Sequence, residues 1–358
     1  MPQPIKYFLG CNTPEGYFSL FPQFTEPAAG WRCILIKGGP GTGKSTLMKR
    51  VAVHCRRRGC EVQEIHCSSD CDSLDGVVLP DPRIVLLDAT PPHALEPRCP
   101  GAVEQPLSLC GCWDEEALRG HRDEIVAVTE EIAAHHRQAV RYLGSAAALL
   151  REVRQIADRY TDHEKILRYA HSLAERELPD RGCKGEEQKR LLSAITNKGA
   201  ILWNETLEGS GMRMLCIEDP YGATAPAVIA ALRQEALLRG YRIITCPCAV
   251  SPREKYDHVL IPEAGLGFVT VNRFHPVTVQ GRAIHAQRFT DMEAIKQYRV
   301  RIRFLQKAAE MLLTQAAEAM AAAKDRHDTL EQYYRSATDF SHIDSLTQEF
   351  LHKLNKLL

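Results

Sequence analysis

The stretch that most restricts the fold of this chain is residues 33–46, where a short apolar run leads into a glycine-rich turn and then a helical pattern. The apolar run predicts a strand, and Gly38-x-x-x-x-Gly43-Lys44-Ser45 predicts a loop that opens directly into a helix. Strand, glycine loop and helix N-terminus in this order direct backbone N–H groups and a positive helix end toward one point. We therefore expect a phosphate-binding loop here.

Each residue of this loop has an expected role. The Lys44 ammonium is expected to reach the β- and γ-phosphates of ATP, and the Ser45 hydroxyl is expected to bind Mg²⁺. ATP and Mg²⁺ are thus the predicted cofactors. The residues expected to surround the nucleotide phosphates are Gly38, Gly39, Pro40, Gly41, Thr42, Gly43, Lys44, Ser45 and Thr46.

Composition narrows the class of protein. Lys+Arg and Asp+Glu both number 45, so no net charge indicates a nucleic-acid or acidic-membrane partner. A chain of 358 residues that is 44% hydrophobic and 25% charged is typical of a globular protein with about two domains. No secretory signal or membrane-spanning run of about 18 apolar residues is visible. The 13 cysteines include no Cys-x-x-Cys pair, which favours reduced thiols in a cytoplasmic protein over a zinc or disulfide framework.

The chain also contains an internal repeat. Segments of the first half recur in the second half in the same order, at an offset that stays near 180 residues. We interpret this as a tandem duplication. The matched segments are 34–40 with 215–220, 58–67 with 239–248, and 75–80 with 257–262, and His93 falls on His275.

Each half shows the same succession of elements: an apolar strand, a helix, several further short strands and then long helical stretches. Continuous apolar strands alternating with a helix predict a parallel sheet covered on both faces. The predicted fold class is therefore α/β, a tandem duplication of a P-loop NTPase-like domain in which long helices follow each sheet. The predicted domains are 1–180, with a helical extension at 114–178, and 187–358, with a helical extension at 287–358; residues 89–113 are predicted as a loop and 178–186 as the linker.

Apolar residues recur at three- and four-residue steps through 125–156 and 302–323. This spacing predicts long helices packed as a coiled-coil-like hairpin, although plain amphipathic helices packed on their own sheets fit it equally well. Ser341 with Asp344 predicts the cap of a final helix.

The second copy of the glycine loop, residues 218–226, has lost its chemistry. Thr224 stands where the first loop has its lysine, and Ala225 stands where it has its serine. Glu218 and Asp219 place two carboxylates where phosphate would lie, and like charges repel at short range. We expect the fold of this half to be kept and its phosphate binding to be lost.

The two halves also help to sort the remaining candidates. Asp88 ends an apolar strand 44 residues after Lys44, as a Mg²⁺-binding, catalytic Walker B aspartate would, and it has no counterpart in the second half. A strand-ending turn residue is the alternative interpretation of Asp88. No Glu follows it to orient the attacking water, which leaves Glu104, Thr90 and His66 as weaker candidates. Residues matched in both halves are interpreted as structural: Thr13, Gly16, Cys67, Asp75, Pro80 and His93.

Three basic residues at the start of a late helix, Arg299, Arg301 and Arg303, could supply an arginine finger. Ordinary helix-surface charge is the interpretation that we favour for them.

With these motifs the chain resembles a family of bacterial duplicated P-loop ATPases found in spore-forming Firmicutes. The resemblance covers nearly the whole chain, and the family is described as ATP-binding proteins or nucleotide kinases without a known substrate. This chain departs at its second loop from a pattern with two nucleotide sites. The segments that carry it are 10–16, 37–46, 72–76, 88–93, 100–104, 113–116, 327–334 and 339–340.

The leading functional hypothesis is a Mg²⁺-dependent ATPase with one competent site in the first half and a pseudo-NTPase second half. A nucleotide or small-molecule kinase is the alternative enzyme, and a nucleotide-gated scaffold without turnover is the non-enzymatic alternative. Besides ATP, the expected partners are an unidentified protein or phosphoryl acceptor, with the two halves pairing within one chain or in a homodimer.

Overall fold

The computed structural model describes residues 4–358 and is an α/β protein with two six-stranded sheets. The first half contains β1 (Ile5–Tyr7), β2 (Gly10–Thr13), β3 (Gly16–Ser19), β4 (Arg32–Lys37), α1 (Lys44–Arg57), β5 (Gln63–His66), β6 (Leu74–Leu79), β7 (Ile84–Asp88), β8 (Glu104–Ser108), α2 (Glu115–Gly120), α3 (Arg122–Asp158) and α4 (His163–Glu177). The second half contains β9 (Glu186–Lys189), β10 (Ser193–Thr196), β11 (Gly199–Leu202), α5 (Asn204–Gly209), β12 (Arg213–Glu218), α6 (Thr224–Leu238), β13 (Arg242–Pro247), β14 (Tyr256–Ile261), β15 (Leu266–Val271), β16 (Arg282–His285), α7 (Met292–Ile295), α8 (Arg299–Ser336) and α9 (Phe340–Leu354).

The two sheets have the same strand order and the same strand directions. The orders are β1-β5-β6-β7-β4-β8 and β9-β13-β14-β15-β12-β16. In the first sheet β6 runs antiparallel to both β5 and β7, whereas β4 is parallel to β7 and β8. The prediction of a wholly parallel sheet was therefore wrong. The reason is the short connection at 80–83 between β6 and β7, which can join antiparallel neighbours but cannot carry a crossover.

Each sheet has helices on one face and a core shared with the other sheet on its opposite face. In β4, Ile34 and Ile36 contact the core beneath α1, while Cys33 and Leu35 contact the shared core. This alternation follows from the two-residue period of a strand. The expectation that helices cover both faces was thus also wrong. The other sheet supplies the shared core with Met214, Cys216, Cys246, Leu260 and Val269.

The short helices at the ends of the two halves exchange sheets. Phe350 and Leu354 of α9 are buried in the core formed by α1 and the first sheet. Conversely, Ile166 and Leu173 of α4 are buried against α6 and the second sheet. Residues 125–156 and 302–323 lie in α3 and α8, which pack on each other as the coiled-coil-like interpretation predicted, although the two helices come from different halves. The alternative, helices packed on their own sheets, does not hold for α4 and α9.

The turns that lead into the exchanged helices are held by equivalent hydrogen bonds. Asp162 caps α4 and Asp339 caps α9, each accepting hydrogen bonds from backbone N–H groups of the first helical turn. The Asp339 N–H in turn donates to the Cys112 carbonyl at 2.7 Å. The predicted cap at Ser341 was wrong, because Asp339 lies one residue before the helix and its carboxylate accepts from the N–H of Ser341.

The long helices α3 and α8 pack against each other between the two halves. Their contact is lined by small or flexible side chains, among them Ala139, Leu143, Ala316 and Met320, all fully buried. Small residues allow two helices to approach closely. The two halves are also joined at their first strands, where Phe8 and Leu191 exchange both backbone hydrogen bonds at 2.8 and 2.9 Å.

Several boundaries agree with the sequence. Helix α1 begins at Lys44, directly after the glycine loop as predicted, and α6 begins at Thr224 within the second copy of the loop. Residues 89–113, predicted as a loop, instead contain β8 at the edge of the sheet. Pro106 has no N–H to donate, which an edge strand tolerates because one of its sides has no neighbouring strand.

Within residues 4–358, no helix is both long and apolar enough to cross a membrane. All 13 cysteines are free thiols.

Truncating the anchor of the exchanged helix tests this packing. Phe350→Ala should lower the free energy of unfolding by about 3–4 kcal/mol, because it leaves a cavity under a side chain that is 6% exposed. Hydrogen exchange should then rise more in residues 44–57 than in 224–238. Urea denaturation with exchange mass spectrometry measures both quantities.

The control is Phe304→Ala, whose side chain is 68% exposed and which should change stability by less than about 0.5 kcal/mol. Greater loss of protection in 224–238 would contradict the exchange.

Candidate functional site

The glycine loop connects β4 to α1 and adopts a conformation that requires glycine at two positions. Gly41 and Gly43 have φ values of +68° and +84°, in the left-handed region that disfavours side chains. Inside the loop, the Thr42 hydroxyl donates to the Gly39 carbonyl at 2.8 Å. The Lys44 ammonium donates to the carbonyls of Gly38 and Gly39, both at 2.8 Å. The loop is therefore a formed structure that holds its lysine in place.

Asp88 lies beside this lysine because β7 is the direct neighbour of β4 in the sheet. One carboxylate oxygen of Asp88 is 3.6 Å from the Lys44 ammonium, and both side chains are nearly buried. The other oxygen accepts from the N–H and the hydroxyl of Thr90, at 2.9 and 2.5 Å. The structure thus brings together two residues that sequence spacing had paired, and it gives Thr90 the role of orienting Asp88.

Two further buried residues join Asp88 in a potential metal-binding cluster. Asp75 on β6, Asp88 and His93 each offer one ligand atom, and these atoms lie within 4.8 Å of one another. Tyr17 holds the ring of His93 through a 2.8 Å hydrogen bond between its hydroxyl and Nδ1. Carboxylate oxygens are the preferred ligands of Mg²⁺, so the donor set of this cluster fits a divalent cation. Sequence reasoning placed Asp75 and His93 among structural residues because both are matched in the second half.

The cluster brings two carboxylates, those of Asp75 and Asp88, close together at a buried site. Burial and the neighbouring carboxylate of Asp88 raise the pKa of Asp75 to about 6, against the opposing effects of His93 and Lys44. A cation bound between the two carboxylates would relieve this repulsion. The sequence signal that could have identified Asp75 is its place on the strand next to β7.

Ser45 has a partner that sequence analysis did not anticipate. Its hydroxyl oxygen accepts a hydrogen bond from the Leu74 N–H at 2.9 Å. This contact links the start of α1 to β6, immediately before Asp75. The hydroxyl hydrogen and a second lone pair remain available for a ligand.

The second loop is filled by its own carboxylate. Asp219 is 1% exposed, and its two oxygens accept from the N–H groups of Tyr221, Gly222 and Ala225, at 3.1, 2.9 and 2.8 Å. Glu218 instead lies half-exposed and pairs with His285 at 2.6 Å. The expectation of two carboxylates at the phosphate position is therefore correct for Asp219 alone.

The equivalent cluster of the second half includes a lysine side chain. Asp257 and His275, the counterparts of Asp75 and His93, lie 2.9 Å apart, and Lys255 contacts the Asp257 carboxylate. Burial pushes the pKa of Asp257 up, but His275 and Lys255 outweigh it and hold this pKa well below its usual range. Thr270 occupies the position of Asp88.

The last turns of α8 lie against the first loop. A Cβ built at Gly41 would be 2.8 Å from Cγ of Arg335 and 3.0 Å from the Glu331 carbonyl oxygen. A Cβ at Gly39 would be 2.7 Å from the ring of Tyr334. The glycines of this loop therefore permit close approach of a helix from the other half.

Several weaker candidates lie elsewhere. Glu104 pairs with Cys33, four residues before the end of β4 and so about 13 Å from the loop. His66 donates to or accepts from no loop residue; its ring packs on Trp203 and its Nδ1 contacts the Cys71 carbonyl at 2.8 Å. Arg301 pairs with Glu152 at the opposite end of α8. Arg299 and Arg303 lie on the same end, exposed.

A cavity of about 310 Å³ lies beside the second loop, between the β10–β11 hairpin and the long helices α3 and α8. Its walls include Ile195, Tyr221, Phe274 and Leu313. Four basic residues also line it, each paired with a carboxylate: Arg151, Arg154, Lys255 and Arg273.

Comparisons with protein-family models, with curated proteins and with solved structures found no match for this chain.

Removing the buried carboxyl of Asp75 should produce a pH-dependent change in stability. Its pKa in the folded protein, about 6, is above its ordinary value of 3.8, so its contribution to stability is present below about pH 4 and is lost as pH rises through 6. The unfolding free energy of Asp75→Asn minus that of the unsubstituted protein should therefore rise by roughly 2–3 kcal/mol between pH 4 and 7.

Urea denaturation at each pH measures this difference. Asp81→Asn, an exposed carboxyl in the turn before β7, is the control and should show no such trend. A flat difference for Asp75→Asn would contradict the raised pKa.

Proposed function

We propose that the first half of the chain binds ATP with Mg²⁺ and hydrolyses it slowly, and that the second half is a pseudo-NTPase partner. The observation that carries this proposal is the contrast between the two loops. In the second loop the Asp219 carboxylate accepts from the N–H groups of residues 221, 222 and 225. Their counterparts in the first loop are the N–H groups of Gly41, Thr42 and Ser45.

No side-chain acceptor within the described residues takes a hydrogen bond from these three N–H groups of the first loop. Instead, the first loop has no internal carboxylate and carries a lysine. Backbone N–H groups at a helix N-terminus, together with a lysine, suit an external anion with several oxygens, as a nucleotide phosphate is. The second loop thus indicates, through its own carboxylate, the place in the first loop that a phosphate would occupy.

The surrounding residues support a divalent cation next to that phosphate. Asp88 and the hydroxyl of Ser45 would hold Mg²⁺, with Asp75 close enough to take part. A bound Mg²⁺ neutralises charge that develops on the transferred phosphoryl group. Lys44 would leave the carbonyls of Gly38 and Gly39 to bind the phosphates. Thr90 would keep Asp88 oriented while this happens.

This proposal includes the finer interpretation of the fold as a duplicated P-loop NTPase-like domain. The matching strand orders and the strand–loop–helix unit at both loops support it. The family resemblance noted from the sequence agrees with it. Hydrolysis is favoured over transfer to an acceptor, since only residues 58–62 separate α1 from β5 and leave no room for an acceptor-binding segment.

Lys44→Ala tests the nucleotide assignment. Loss of a charged hydrogen-bond donor should weaken ATP binding by about 10- to 100-fold and abolish phosphate release. Calorimetric titration and single-turnover hydrolysis measure the two effects. Lys49→Ala, an exposed lysine on the same helix, is the matched control and should behave as the unsubstituted protein. Unchanged turnover in Lys44→Ala would overturn the proposal.

Asp88→Asn tests the metal assignment separately. We expect ATP binding without Mg²⁺ to be retained, since the substitution also removes a negative charge near the phosphates. The increase in affinity and turnover on adding Mg²⁺ should be much smaller, because a neutral amide oxygen is a weaker ligand of Mg²⁺ than a carboxylate. Titrations with and without Mg²⁺ measure this, with Asp81→Asn as the control. Full Mg²⁺ stimulation in Asp88→Asn would place the cation elsewhere.

A further inference from the structure

We infer that the nucleotide site of the first half is completed by the second half, and that Arg335 at the end of α8 contacts the terminal phosphate. This inference rests on the proposed function, because it needs a nucleotide at the first loop. It assigns to the second half a part in the chemistry of the first, beyond its role as a folded partner.

The position of Arg335 is the first argument. Its Cγ lies 2.8 Å from where a Cβ at Gly41 would be, so the stem of the side chain runs along the loop. Three bonds connect Cγ to the guanidinium carbon. In the second loop, the Asp219 carboxylate accepts a hydrogen bond from the N–H of Tyr221. Gly41 is the counterpart of Tyr221, so its N–H is one of the groups expected to bind phosphate in the first loop. A phosphate bound there would therefore lie within reach of the guanidinium.

The positive charge of Arg335 also has no carboxylate partner in the described part of the chain. Among residues 4–358, no carboxylate lies within 4.0 Å of the Arg335 guanidinium, which is exposed at the end of the helix. Among the other cations of α8, Arg301, Lys324 and Arg326 are paired with carboxylates, whereas Arg299, Arg303 and Lys307 near its start are not. The helix dipole by itself favours an arginine at a helix C-terminus, so the lack of a carboxylate partner does not alone indicate a contact with phosphate.

The second half supplies independent support. An isolated β-bridge joins Thr161 to Thr290, and an equivalent bridge joins Thr338 to Trp113. Thr338 therefore corresponds to Thr161, and positions at the end of α8 correspond to positions at the end of α3 at an offset of 177. The counterpart of Arg335 is then Asp158, at the end of α3 beside the second loop. Asp158 is an acid and pairs with His163 at 2.9 Å. The position equivalent to Arg335 thus holds an acid in the half whose loop lacks phosphate-binding residues.

Arginine is suited to this position chemically. Its planar guanidinium donates two parallel hydrogen bonds to phosphate oxygens, and it stays charged at any physiological pH. Lys44 approaches the phosphates from the α1 side, and Arg335 would approach from the α8 side. Charge that develops on the terminal phosphoryl group would then be stabilised from two directions. ADP, which lacks that group, would make less use of Arg335.

The test compares ATP and ADP binding in the full-length chain. Arg335→Ala should weaken ATP binding by at least about 10-fold while changing ADP binding by less than about 2-fold. Single-turnover hydrolysis should fall by at least about 100-fold. Arg335→Lys should recover little of either, because an ammonium lacks the bidentate geometry. Arg303→Ala, an exposed arginine at the far end of α8, is the matched control.

The outcomes separate this inference from the proposed function. If Lys44→Ala loses ATP binding while Arg335→Ala leaves the ratio of ATP to ADP affinity unchanged, Arg335 is a helix-end charge only and the inference is wrong. Equal weakening of ATP and ADP would also overturn it, since that indicates altered loop structure. If the unsubstituted protein binds neither nucleotide, both proposals fail together. Selective loss of ATP affinity in Arg335→Ala supports the inference even without measurable turnover.

Discussion

The structure depends on one apolar face of each sheet, which packs into a core shared with the other sheet. In β4 this face is formed by Cys33 and Leu35, and in β12 by Met214 and Cys216. Because burying apolar surface is the main favourable contribution to folding, two such faces stabilise the protein when they share one core. The shared core sets the positions of the two halves, and the long helices α3 and α8 then meet along their small residues.

This arrangement explains why the candidate site contains residues from both halves. Helix α9 packs on α1, so α8, which precedes it, must end beside the first loop. Gly39 and Gly41 allow that approach, and the rings of Trp113 and Tyr334 meet beside Gly39. The loop and the helix end come from sequence positions almost 300 residues apart. Their proximity results from the exchange of α4 and α9 between the sheets.

Local features were predictable from the sequence, and non-local ones were not. The loop, α1 and the adjacency of Lys44 to Asp88 follow from short-range patterns of glycine spacing and strand hydrophobicity. The exchange was not predictable, because in a chain with two sheets of the same strand order an amphipathic helix such as α9 fits either sheet. For the same reason Arg335 could not be linked to the loop. Asp75 was missed because a match in both halves was interpreted as structural, whereas its environment differs between them.

The paired backbone hydrogen bonds between Phe8 and Leu191 join equivalent positions of the two halves, as a two-fold axis does in a dimer of identical chains. In such a dimer one gene encodes both subunits, so every substitution appears twice. Here the two positions are separate codons of one gene. One loop can therefore change without the other, and each molecule carries one loop with Lys44 and one with Thr224. Covalent linkage keeps that ratio fixed at any protein concentration.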